Sequence, residues 1–109
     1  MLAGSTSFLL GALQVGCVGG INALANALPE ECCRLQDLYH QGQTEAAAEL
    51  QRRLVAPNLA VTRELGVAGL KRAMEWMGMY GGPCRKPLMS LTEDEEKKLK
   101  HAFTSTGFL

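Results

Sequence analysis

The 109-residue sequence predicts an α/β chain that is mostly helical, opening on a strand–helix–strand unit and continuing as helices. Three observations lead there. Residues 17–23 are short, apolar and glycine-rich without period-2 alternation, which reads as a strand covered on both faces. Residues 5–15 form a capped apolar run that reads as a short buried helix. From Pro29 onward, amphipathic stretches are punctuated by proline and glycine, as helices are.

The elements follow in order. Leu2-Ala3-Gly4 reads as the tail of a strand, and Ser5, Thr6 and Ser7 supply N-cap hydroxyls for the helix that Gly16 closes. A helix with parallel strands on either side is a βαβ unit. Pro29 at a first-turn position, with Glu30 and Glu31 near the positive end of the dipole, starts the next helix. Its apolar stripe is Cys32, Leu35, Leu38 and Tyr39, and Gly42 ends it. Thr44 caps a helix carrying Ala48, Leu54 and Val55. Pro57 is expected to kink or restart it, since proline removes a donor and disfavours helix at Ala56. Leu59, Val61 and Leu65 lead to Gly66, and Leu70, Ala73, Met74 and Met77 mark another amphipathic helix. Residues 83–87 (PCRKP) form an extended connector. Thr92 with Glu95 is a capping box, and Glu93–Lys97, Asp94–Lys98 and Glu96–Lys100 are spaced to pair along the last helix.

Composition excludes several functions. Eleven basic and eleven acidic side chains leave no net charge to attract nucleic acid or an anionic membrane. No apolar run approaches the ~20 residues that span a bilayer. The start has neither the basic region of a signal peptide nor the arginines of a transit peptide. Cys17, Cys32, Cys33 and Cys84 lack metal-ligand spacing and are expected to be buried structural thiols in a reducing compartment. His40 and His101, late in their helices, read as surface residues. Trp76, Tyr80 and the group Met74, Met77 and Met79 read as filling between helix layers. The five lysines sit on helices or the connector, away from the apolar strand that would suit a Schiff-base nitrogen.

Three segments taken in order, LAGSTSFLLGA (2–12), GCVGGINALAN (16–26) and GGPCRKPL (81–88), resemble the C-terminal end of the dihydrodipicolinate synthase / N-acetylneuraminate lyase (DapA) family. PNLAVTR (57–63) and FTSTGFL (103–109) extend the likeness. Within the family it is greatest to the mitochondrial 4-hydroxy-2-oxoglutarate aldolases. The resemblance implies a (β/α)8 (TIM) barrel followed by added helices. Such a barrel needs ~250 residues, so this chain is expected to be a fragment. Residues 1–42 would be the last βαβα portion of the barrel and 43–109 the helical region.

The resemblance also implies a chemistry. A strand-six lysine forms a Schiff base with a keto acid, the imine serves as the electron sink for carbon–carbon cleavage, and a strand-five tyrosine moves protons. Both residues are expected upstream of Met1, so no catalytic residue is expected in this chain. The resemblance further implies that the full-length enzyme cleaves 4-hydroxy-2-oxoglutarate to pyruvate and glyoxylate without cofactor or metal, forms a homotetramer and is mitochondrial. Gly4, at the mouth of strand seven, would admit substrate close to the backbone, or serve a tight turn. Ser5 would bond substrate, or cap the helix. Thr6 and Ser7 stand where sialic acid lyases carry acidic sugar-binding residues, which points to a small keto acid. Asn22 is read chiefly as a satisfied core polar group. The competing readings are a non-catalytic short isoform, a helical interaction module, and part of a sister keto-acid lyase such as dihydrodipicolinate synthase.

Overall fold

The computed structural model describes residues 1–109. Its first feature is a short parallel pairing. Val18 N–H donates to the Met1 carbonyl at 3.0 Å, Ala3 N–H to Gly19 at 2.8 Å, and Ile21 N–H to Ala3 at 2.9 Å. The register centres on Ala3 opposite Gly20. Between the two segments lie a 3-10 turn, Thr6–Phe8, and helix α1, Leu9–Gln14. Two extended segments flanking a helix are therefore present, but neither is a strand: one isolated bridge stands in place of the expected strand–helix–strand unit.

The segment 17–23 departs from expectation. It was expected to be a buried strand, yet Val18 and Ile21 are 70% and 78% exposed. Its end also turns early, because Ala23–Asn26 forms a second 3-10 turn. The reason is geometric. A parallel strand is buried only when helices cover both faces and neighbours flank both edges, and this chain supplies one partner segment. Leu2 and Met1 on the partner segment are exposed as well.

Four further helices follow: α2 (Pro29–His40), α3 (Thr44–Leu59), α4 (Gly66–Trp76) and α5 (Glu93–Thr104). Pro29 and the acidic pair Glu30 and Glu31 occupy the first turn of α2 as the sequence requires. Thr44 does not cap α3; it is the first helical residue, and Gln43 precedes it without a side-chain bond. Pro57 does not restart α3. It lies buried inside the helix, which runs to Leu59 and then widens into a π turn, Ala60–Glu64. A π turn is a means by which a helix absorbs a disturbed hydrogen-bond ladder.

One core joins the two parts of the chain. Leu9 and Leu13 of α1, Leu24, and Leu35 of α2 pack in the same cluster as Leu54 of α3 and Leu99 and Phe103 of α5. Trp76, Met74 and Met77 pack against that core, but Tyr80 is 85% exposed and Met79 is exposed, so neither fills the helix layers. Cys32 is buried, Cys17 and Cys84 are half-buried, and Cys33 is exposed, which corrects the expectation of four buried thiols. His40 and His101 are on the surface. The Thr92–Glu95 capping box is formed in both directions, at 3.2 Å and 2.9 Å. The expected pairs along α5 are not among the ion pairs. Glu96 instead reaches across to Arg72 of α4, 2.9 Å away.

Candidate functional site

The turn Gly4–Ser7 leaves the C-terminal end of the first paired segment, the end at which parallel α/β folds place their chemistry. Gly4 is exposed and has ordinary negative-φ backbone. A methyl group added there would meet no atom of the chain within 4 Å. Neither turn geometry nor packing within this chain therefore calls for glycine.

Ser5 is committed to the turn. Its backbone is extended, and its Oγ accepts from Ser7 N–H at 3.3 Å and from Asn58 Nδ2 at 3.0 Å. The Ser7 hydroxyl lies 3.0 Å away. Ser5 thus caps the 3-10 turn Thr6–Phe8 rather than helix α1 as expected, with a second tie reaching from α3. Asn58 itself is 1% exposed, and its Oδ1 has no partner.

Thr6 is fully buried, its hydroxyl 3.5 Å from the Cys32 sulfur. Burial pushes the Cys32 thiol up from its ordinary value, Thr6 opposes this, and Cys33 and Glu31 add to it. A thiol held neutral in this way is packing, not a nucleophile. Ser7 is engaged with Ser5. Thr6 therefore faces the protein and Ser7 is half-buried beside Ser5, and neither carries a charge.

Gln51 of α3 completes the turn. Its Nε2 donates to the carbonyls of Thr6 at 2.9 Å and Ser7 at 3.2 Å, and its Oε1 accepts from Leu10 N–H at 2.8 Å. Neither Gln51 nor Asn58 was singled out from sequence. Asn58 lies within the PNLAVTR segment, whose likeness carried no role for it. Asn22 is half-buried with an unpartnered Oδ1, so it is not the satisfied core group expected.

A concavity of about 310 Å³ lies elsewhere, among α4, the connector and α5, lined by Arg72, Glu75, Cys84 and Glu96 among others. Its polar groups serve each other. Arg72 donates to Glu75 at 2.7 Å and stacks 5.5 Å from the Trp76 ring centroid, while Glu75 also accepts from Gly82 N–H. The hydrogen bond to Glu75 raises the Arg72 guanidinium above its usual value, and the same bond holds Glu75 below the usual carboxylate value. The contact with Glu96 has ion-pair distance without the alignment of a hydrogen bond. It is a strut between helices.

The profile of the Dihydrodipicolinate synthetase family matches residues 1–106. The chain belongs to this family. A DapA-like lyase of Halobacterium salinarum is 36% identical over 108 residues, covering 99% of this chain and 36% of the relative. The 4-hydroxy-tetrahydrodipicolinate synthase of Caldicellulosiruptor saccharolyticus is 35% identical over 105 residues, 96% of this chain and 36% of that protein. Among solved structures, the 4-hydroxy-tetrahydrodipicolinate synthase of Methylacidiphilum fumariolicum superposes with a TM-score of 0.84 at 28% identity, over 96% of this chain and 35% of its own. The Proteus mirabilis N-acetylneuraminate lyase gives 0.82 at 24%, over 97% and 36%, a likeness of fold alone. The chain thus spans about 36% of the length of the curated relatives it matches. None of these four proteins is named a 4-hydroxy-2-oxoglutarate aldolase, the branch expected from the sequence.

Proposed function

We propose that this chain is the closing segment of a Schiff-base keto-acid lyase of the dihydrodipicolinate synthase type. In this reading it supplies the last two barrel strands, the Gly4 rim of the substrate pocket and the helical tail. The nucleophilic lysine and the proton-shuttling tyrosine belong to the portion of the enzyme that precedes it, and the chain alone turns nothing over. The observation that carries the reading is the pairing of Ala3 with Gly20, flanked by Met1, Leu2, Val18 and Ile21, all exposed. Two parallel segments with bare apolar flanks are what a sheet interrupted on both sides leaves behind.

Gly4 supports the pocket assignment. An open position at the mouth of a parallel strand, where nothing internal requires glycine, suits a backbone that a substrate approaches closely. The carboxylate-free turn of Ser5, Thr6 and Ser7 suits a small keto acid over a sugar acid. The sequence relatives favour synthesis of 4-hydroxy-tetrahydrodipicolinate as the reaction of the whole enzyme. Cleavage of 4-hydroxy-2-oxoglutarate to pyruvate and glyoxylate is the second reading, supported by the sequence likeness. A mitochondrial setting and a tetrameric whole enzyme rest on that likeness and belong to the same proposal.

Turnover assays test it. The chain incubated with 4-hydroxy-2-oxoglutarate releases no pyruvate above the protein-free rate. Release proportional to chain concentration contradicts the assignment. In the whole enzyme, the ratio of that cleavage to 4-hydroxy-tetrahydrodipicolinate formation separates the two substrate readings.

A further inference from the structure

We infer that Gln51 and Asn58, both on α3, are positioning residues for the pocket rim Gly4–Ser7. The inference rests on the reading that this rim meets the keto acid. It assigns the helical tail a part in shaping the site.

Helix α1 is only six residues long and begins without a local cap: Phe8 precedes it and makes no side-chain bond to its orphan donors. Gln51 supplies the missing acceptor from 41 residues away, its Oε1 taking the Leu10 N–H at 2.8 Å. The other end of the same amide donates to two consecutive carbonyls, Thr6 and Ser7. One primary amide thus fixes three backbone groups of the chain as it leaves the paired segment. No other side chain makes three bonds to this turn.

Asn58 fixes the turn one residue earlier. It lies two helical turns from Gln51, at i+7, so both side chains project from one face of α3. Its Nδ2 donates to Ser5 Oγ while Oδ1 is left unpaired in a buried place. Turning the amide over would bring Oδ1 to the Ser5 hydroxyl proton instead. In either orientation Ser5 is held by α3. A buried amide left half-satisfied is destabilising, so hydrophobic filling would give a more stable core here. An amide aimed at the rim fits positioning better than packing.

Site-resolved hydrogen exchange on the 109-residue chain tests this with Gln51→Met, Gln51→Glu and Asn58→Leu. In the wild-type chain the Leu10 amide is protected. Gln51→Met lowers that protection at least tenfold and shifts the Gly4–Ser7 amide resonances, while amides within α4 and α5 stay within about threefold of wild type. Gln51→Glu keeps the acceptor and loses both donors, so Leu10 stays protected while the Thr6–Phe8 resonances move. Asn58→Leu moves Ser5 and leaves Leu10 unchanged. An unprotected Leu10 amide in the wild-type chain, a Gln51→Met chain with unaltered rim amides, or equal loss of protection everywhere overturns the inference. In the whole enzyme Gln51→Met raises KM for the keto acid with a smaller change in kcat and Gln51→Glu recovers part of it; an unchanged KM overturns the positioning role even where Leu10 loses protection. The exchange outcomes do not depend on Schiff-base chemistry, so failure here is distinguishable from failure of the lyase reading.

Discussion

The Arg53 guanidinium lies 4.6 Å from the centroid of the Phe108 ring, with its Nε donating to the Thr106 carbonyl at 2.9 Å. Helix α5 ends in a Schellman turn: Phe108 N–H returns to Phe103 and Gly107 N–H to Thr104, with Gly107 at φ +83°. That turn delivers Phe108 to α3. Arg53→Ala removes the cation–π contact and the hydrogen bond together and lowers stability by about 1–2 kcal/mol. A urea titration reads this as a reduced midpoint at unchanged slope. Arg53→Lys recovers only part of the loss, because an ammonium cannot stack as a planar guanidinium does.

Two glycines give opposite expectations. A methyl group at Gly81 would overlap the Lys71 carbonyl, so Gly81→Ala forces the connector away from α4. A loss of about 2–3 kcal/mol follows, measurable in the same titration. At Gly4 the space is open. Gly4→Ala leaves stability within about 0.5 kcal/mol, while the proposed pocket role predicts a raised KM for the keto acid in the whole enzyme.

The adjacent cysteines differ in reach. Cys33 is exposed and Cys32 is 7% exposed. Under native conditions a thiol reagent labels Cys33 first, and Cys32 only as fast as the chain opens; peptide mapping over time shows the order. Burial raises the Cys32 thiol above its ordinary value of 9.0, so the folded state holds that proton more tightly. Its contribution to stability is complete below pH 9.0 and is lost as pH rises through the folded value.

Acid acts through the opposite sign. The bond from Arg72 lowers Glu75, and the Thr92 backbone and hydroxyl lower Glu95, both below 4.5. The unfolded chain then binds protons that the folded chain does not, so both contributions are present above pH 4.5 and fade as pH falls through the folded values. Glu95→Gln can still accept from the Thr92 N–H but does not titrate. Its stability changes less between pH 5 and pH 3 than that of the wild type, as thermal melts across roughly this range should read.

What the sequence made legible was local. The capping box at Thr92 and Glu95 and the start of α2 at Pro29 each depend on residues within three or four positions, and each formed, while Ser5 caps only the 3-10 turn ahead of α1. Contacts between elements were not legible in the same way. The spacing of Glu96 and Lys100 suggested a pair along one helix, whereas Arg72, 24 positions earlier, is the partner because α4 and α5 pack together. The strand 17–23 was read as buried because its composition suits burial, but burial depends on neighbours that this chain does not provide. The reading of Gly4 and Ser5 as a pocket rim comes from the family likeness and belongs to the proposed function. The braces on that rim, Gln51 and Asn58, were hidden because an ordinary glutamine and asparagine on a helix carry no periodic signal.

The central claim, a pocket rim belonging to a Schiff-base enzyme but without its nucleophile, is tested most directly by intact mass after treatment with pyruvate and borohydride. An imine formed on any lysine would be reduced to a stable secondary amine and retained as added mass. The account predicts an unchanged mass for the 109-residue chain. A stable pyruvate adduct, mapped to Lys71, Lys86 or a lysine of α5, would contradict it.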